Sequence, residues 1–144
     1  MKIALGSDHA GYELKEALKS YLSEKPIAIS DMGTHSTDAV DYPDFGRAVA
    51  LMVAAGEVDR GILLCGSGIG MSIVANRVPG VRAALCTNEE TARLSRLHND
   101  ANVLVLPGRS TDVTEAQRIL DVWLATDFEG GRHQRRLRKI DISI

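Results

Sequence analysis

The chain has 144 residues, 44% hydrophobic and 25% charged, with 17 basic against 19 acidic side chains and a net charge of -2. That length and apolar content suit a single compact domain over 1–144. The near balance of charge argues against nucleic acid as the main partner, and no apolar run approaches the roughly 20 residues of a membrane span.

Met1-Lys2 leads straight into the first apolar run, Lys2 to Gly6, which is too short for a signal-peptide core; a cytoplasmic protein is expected. The polar loop Ser7-Asp8-His9-Ala10-Gly11 follows, and then a stripe of Tyr12, Leu14, Leu18, Tyr21 and Leu22 with helical spacing. A second short run covers Ile27 to Asp31. After the loop Asp38 to Pro43, Asp44 reads as the cap of a helix carrying Phe45, Val49 and Met52. The third run, Arg60 to Cys65, ends in a thiol and passes through Gly66-Ser67-Gly68-Ile69-Gly70 into a helical stretch from Met71 to Arg77. Val81 to Cys86 is the fourth run. Asn88-Glu89-Glu90 opens a helix containing Ala92 to Leu97, with acids in its first turn. Asn102 to Leu106 is the fifth run, and Thr114-Glu115 opens a helix with Ala116, Ile119, Leu120, Trp123 and Leu124 on one side. The pattern breaks at Phe128-Glu129-Gly130-Gly131. The charged remainder, 130–144, is expected to form an arm that packs on a second subunit.

Five strands alternating with five helices predict an α/β fold: a five-stranded parallel sheet, helices on both faces, right-handed crossovers. Such sheets bind ligands at the carboxyl ends of their strands. The Asp8-His9 loop, the loop Gly66 to Gly70 and Pro107-Gly108-Arg109 all fall on that edge.

Cys65 is the sharpest candidate. A lone cysteine is most often a small buried apolar residue, but a glycine loop follows this one directly. Backbone amides converging in such a loop bind an oxyanion or phosphate, and a positive environment favours a thiolate. The loop has neither the glycine spacing of a dinucleotide site nor the lysine of a P-loop. Ser67 either caps the helix or relays a proton. Cys86 has no such loop and reads as core. Two cysteines without a paired His or Cys spacing predict no metal site, and a disulfide would be unusual in a reducing compartment. His98, at a helix end, either complements the helix terminus or serves as an acid-base group. His35 reads as solvated. Arg132 and Arg136, four residues apart, share a helix face; with Arg109 they suit phosphate better than a solvated tail would.

Gly6-Ser7-Asp8-His9-Ala10-Gly11, Asp41-Tyr42-Pro43, Gly61 to Gly70, Ser95-Arg96-Leu97-His98-Asn99-Asp100-Ala101-Asn102-Val103 and Glu129-Gly130-Gly131-Arg132-His133 together resemble the ribose/galactose isomerase family, in order along nearly the whole chain. The resemblance implies a Rossmann-like three-layer α/β/α sandwich with a C-terminal helical arm. It implies a homodimer or dimer of dimers with active sites drawn from both subunits. It further implies a cofactor-free, metal-free aldose–ketose isomerisation of a small sugar phosphate, with ribose 5-phosphate and ribulose 5-phosphate as the pair. A six-carbon sugar phosphate such as galactose or allose 6-phosphate is the alternative within the family, and a noncatalytic phospho-sugar-binding module the alternative outside it. By the same resemblance Cys65 is the base that moves the proton between C2 and C1, Ser67 relays a proton between the sugar oxygens, and His98 opens the furanose ring, with His133 as the other candidate. The amides of Gly66, Gly68, Ile69 and Gly70 would hold the enediolate. Asp8, Tyr42 and Asn99 would bind the sugar, and His9, Arg109, Arg132 and Arg136 its phosphate.

Overall fold

A computed structural model describes residues 1–142; residues 143 and 144 of the expected arm lie outside the described part. The elements run β1 (Lys2–Ser7), α1 (Tyr12–Ser23), β2 (Ala28–Asp31), α2 (Tyr42–Ala54), β3 (Arg60–Cys65), α3 (Ile69–Ala75), β4 (Ala83–Leu85), α4 (Glu89–Asn99), β5 (Val103–Pro107), α5 (Val113–Ala125) and α6 (Arg132–Leu137). The five strands form one parallel sheet in the order β2-β1-β3-β5-β4. Among the described residues no helix is long and apolar enough to cross a membrane.

Alternation along the central strands builds three layers, because successive side chains point to opposite faces. Ile62 and Leu64 join Ile3, Leu5, Leu104 and Leu106 under α1, α4 and α5, where Trp123 is fully buried. Leu63 and Cys65 join Ala4, Val103 and Val105 under α2 and α3. The edge strands β2 and β4 are only partly buried, unlike the central three.

The observed boundaries correct several expectations. β4 is three residues long, shorter than Val81 to Cys86, and α3 starts at Ile69, two residues before Met71. α2 begins at Tyr42 with Asp41 as its N-cap, so Asp44 lies inside the first turn rather than capping it. Proline suits that first turn because its missing N–H has no partner there in any case. α5 is capped by Asp112, whose side chain accepts the Glu115 amide, rather than by Thr114. Asn88 caps α4 through the Thr91 amide, as its sequence position indicated.

One charged cluster ties α1 to the sheet edge. Lys15, fully buried, donates to both oxygens of Asp31 at 2.8 Å, and Lys19 donates to Asp31 at 2.7 Å. Burial opposes ionisation of Asp31, but the two ammonium groups and the Gly33 N–H together outweigh it and lower its pKa to about 2. A carboxylate with a depressed folded pKa stabilises the fold above its unfolded value near 3.8, and that stability is lost as pH falls towards 2. Urea unfolding should therefore show about 2 kcal/mol of acid-labile stability from this group between pH 5 and pH 2. Asp31→Asn should flatten that part of the pH profile; an unchanged slope would assign the acid sensitivity elsewhere.

Candidate active site

The sheet order changes direction between β1 and β3, and the crevice outside their carboxyl ends is where an open α/β sheet takes ligands. Here a cleft of about 410 Å³ is lined by Asp8, Tyr42, Cys65, Gly66, Ser67, Ile69, Gly70, Ile73 and Arg109. A larger hollow of about 520 Å³ lies at the amino ends of β1 and β2, around Met1, Pro26, Ile27 and Leu124. That hollow is mostly apolar, and its two charged side chains, Lys25 and Asp121, pair with each other at 3.6 Å, so it is a poor place for chemistry.

Cys65 ends β3 on the face covered by α2 and α3. It is 4% exposed, yet it lines the cleft, as a reactive group at the bottom of a crevice should. Its carbonyl accepts the Gly108 amide at 2.8 Å, and the Gly66 carbonyl accepts the Arg109 amide at 3.1 Å. These bonds follow from the β3–β5 pairing, which sets Cys65 opposite Pro107. They bring Arg109 to the glycine loop: a Cβ on Gly66 would lie 2.9 Å from Arg109 Nη1.

Gly68 caps α3 in the left-handed region, φ +79°. The Ser67 hydroxyl accepts the Ile69 amide at 3.2 Å, so that amide is already engaged. Tyr42 lies on Gly70, where an added Cβ would come within 2.6 Å of the ring. Asp8 is buried; its carboxylate accepts the Gly11 amide at 3.0 Å, which fixes the loop after β1. His9 does not line the cleft. Its Nδ1 accepts the Val40 amide at 3.2 Å, so in the neutral ring Nε2 carries the proton and is a donor for an anion. Cys86 is core, as read, and burial pushes its thiol up.

The remaining candidates form a second group, away from the cleft lining, where α6 packs on the end of α4. Arg96 holds that end: its guanidinium donates to Asp100 Oδ1, the Ala101 carbonyl and the Thr126 carbonyl. His98, half-buried on the last turn of α4, stacks on His133, with ring centroids 4.4 Å apart and 16° between planes. Burial, then the Arg132 charge and His98, push the His133 imidazole down, which keeps it neutral near pH 7. Asn99, Arg132 and Arg136 are exposed nearby in sequence, and neither arginine makes an ion pair among the described residues. The arm turns back on its own chain here: Glu129 donates its amide to the Leu97 carbonyl, and Asp141 accepts the Gly80 amide.

Two residues escaped the sequence reading. Ile73 lines the cleft one helical turn after Ile69, a spacing that was available. Glu129 meets His98 and His133, a grouping of residues up to 35 apart that no local pattern announces.

A model of the family described as Ribose/Galactose Isomerase matches residues 3–140. The chain is 48% identical to ribose-5-phosphate isomerase B of Escherichia coli over 139 residues, 96% of this chain and 93% of that protein. Among solved structures, a ribose 5-phosphate isomerase of Thermotoga maritima superposes with a TM-score of 0.95 at 56% identity, covering 97% of each chain. The Mycoplasma genitalium ribose-5-phosphate isomerase B with bound ribulose-5-phosphate superposes with a TM-score of 0.93 at 45% identity, covering 96% of this chain and 93% of that one.

Proposed function

The chain belongs to the ribose/galactose isomerase family, and on that premise we propose that it interconverts ribose 5-phosphate and ribulose 5-phosphate with Cys65 as the base. The observation that carries the reading is the cleft at the β1/β3 crevice, with a thiol at its base and a glycine loop beside it. In the open-chain aldose, the Cys65 thiolate takes the proton from C2. The C–H electrons form the C1=C2 bond and the aldehyde π electrons move onto O1. Ser67 carries a proton between O2 and O1. The enediolate then collapses to a C2 ketone while C1 takes the proton back from Cys65.

The cost of the reaction lies in the enediolate charge. Amide donors already aimed at that charge do not reorganise as it develops, and each is worth roughly 3 kcal/mol. Apart from the Ile69 amide, which is bonded to the Ser67 hydroxyl, the loop from Gly66 to Gly70 supplies such donors beside Cys65. Asp8 and Tyr42 border the same space and suit the sugar hydroxyls. Arg109 and the His9 Nε2–H donor suit phosphate.

The site is completed by a second copy of this chain. Ring opening needs an acid-base group, yet His98, Asn99, Arg132, His133 and Arg136 sit on the α4–α6 corner and not in their own cleft. A dimer that sets one subunit's corner over its partner's cleft unites the two groups, and the exposed Ile69, Ile73 and Tyr42 around the mouth supply apolar surface for it. A cytoplasmic place of work suits two free cysteines.

The test is a coupled isomerase assay on ribose 5-phosphate beside galactose and allose 6-phosphates. The pentose should have the highest kcat/KM; a six-carbon substrate turned over faster would move the chain to the other branch of the family. In the same assay Arg136→Ala should raise KM about 10-fold with little change in kcat, since it removes a charged hydrogen bond to the remote phosphate. An unchanged KM would remove Arg136 from the phosphate clamp.

A further inference from the structure

The α4–α6 corner holds a donor set that the isomerisation does not use as a unit. His98, Glu129 and His133 each offer one ligand atom, and these atoms lie within 4.8 Å of one another. A second observation points to a ligand. The His133 side chain is 6% exposed and its Nε2 has no hydrogen-bond partner among the described residues. Glu129 Oε2 stands 3.9 Å from that nitrogen, beyond hydrogen-bond reach. A buried polar atom without a partner is destabilising, and native structures rarely keep one without an occupant or a role.

Two imidazoles and one carboxylate are the donors that a borderline divalent cation takes, zinc above all, with its fourth position left open. Calcium and magnesium prefer all-oxygen sites and would not choose this one. We propose that His98, Glu129 and His133 bind a zinc-type cation, and that filling this site inhibits the isomerase by occupying the His98 imidazole. The inhibitory half rests on the ring-opening role given to His98 above.

Bonds of about 2.0–2.1 Å in a tetrahedron place ligand atoms roughly 3.3 Å apart, inside the 4.8 Å span of the three atoms here, and a shared metal also requires the His98 ring to turn out of its stack on His133 so that both lone pairs meet at one point. His133 is the fixed member. His98 is half-buried, and the Glu129 side chain, 48% exposed, has room to swing inward. Arg132 and Arg136 oppose a cation from the same helix, but both are exposed and screened, while Glu129 contributes the compensating negative charge. The cation takes no part in the isomerisation; it removes a group the reaction needs.

The experiment is a calorimetric zinc titration of the full chain, run beside the ribose 5-phosphate assay. One zinc per chain is expected, with turnover falling as the site fills and returning when a chelator is added. Glu129→Gln should weaken zinc binding about 10-fold or more while leaving metal-free turnover unchanged. Cys65→Ala should bind zinc as the parent does. No binding, equal binding by Glu129→Gln, or loss of binding in Cys65→Ala would overturn the site. A filled site with full turnover would overturn the inhibition. Calorimetry does not pass through catalysis, so a mistaken role for His98 shows up separately, as unimpaired metal-free turnover in His98→Asn.

Discussion

Cys65→Ala should lower kcat by about a thousandfold, within the range that a positioned general base supplies, while the folded protein still binds ribose 5-phosphate. Each half of that expectation has a structural reason. The sulfur is the one group at the carboxyl end of β3 that can hold a proton taken from carbon, beside loop amides that can carry the resulting charge. Alanine keeps the backbone bond from Gly108 to the Cys65 carbonyl, so the β3–β5 edge and Arg109 stay in place. The lost sulfur leaves a small void against the α2–α3 core, at a cost of about 1 kcal/mol. The phosphate contacts proposed for His9 and the arginines do not involve the thiol. Steady-state kinetics and calorimetric binding of ribose 5-phosphate separate the two effects. Turnover within tenfold of the parent would remove the thiol from the chemistry; loss of binding together with turnover would make Cys65 a packing residue. Cys65→Ser sharpens the comparison, because it restores much of the volume but replaces the thiol with a far weaker acid whose anion is scarcely populated.

Much of this site was legible because its signals are local. An apolar run ending in Cys65 and followed by three glycines reads as a strand, a turn and a helix start without tertiary information, and β3 spans the residues expected of it. Asn88 was legible as a cap for the same reason: its partner, Thr91, is three residues away. Asp41 and Asp112 were passed over for Asp44 and Thr114 because a cap depends on which residue leaves helical geometry. Composition does not say that when several candidates stand together. The strand order was beyond reach. Parallel strands in chain order do not state their neighbours, and here β5 inserts between β3 and β4. That insertion, not any motif, brings Arg109 to the glycine loop. The separation of the candidates into a cleft and a corner was equally hidden. It depends on how α6 folds back on α4, and the stacking of His98 on His133 has no trace in the spacing of either residue.

Gly11→Ala should destabilise the fold by about 3 kcal/mol, the upper part of the usual range for forcing atoms into a packed interior. Three strand-end loops converge at this residue. A Cβ there would lie 2.7 Å from the Leu64 carbonyl oxygen and 2.8 Å from its carbon, and the Gly11 Cα already sits 2.9 Å from where a Cβ on Gly108 would be. The atoms in the way are mostly backbone, on a central strand paired on both sides, so no rotamer change relieves the overlap. The backbone of Gly11 is in the ordinary right-handed region, which makes the requirement for glycine one of space rather than of conformation. Relief has to come from moving the loop after β1 away from β3. That movement stretches the Asp8 amide bond to the Leu64 carbonyl, now 3.2 Å, and the bond from the Gly11 amide to the Asp8 carboxylate. Asp8 would then shift relative to Cys65, and a misplacement of about 1 Å can cost on the order of a hundredfold in rate. Denaturant unfolding and kcat/KM should therefore fall together in Gly11→Ala. Gly56→Ala is the control: among the described residues nothing lies within 4 Å of its added Cβ, and any loss reflects only its left-handed backbone, φ +72°. If Gly11→Ala were no less stable than that control, the three loops would not be packed as tightly as this geometry requires, and the placement of Asp8 against Cys65 would lose its mechanical basis.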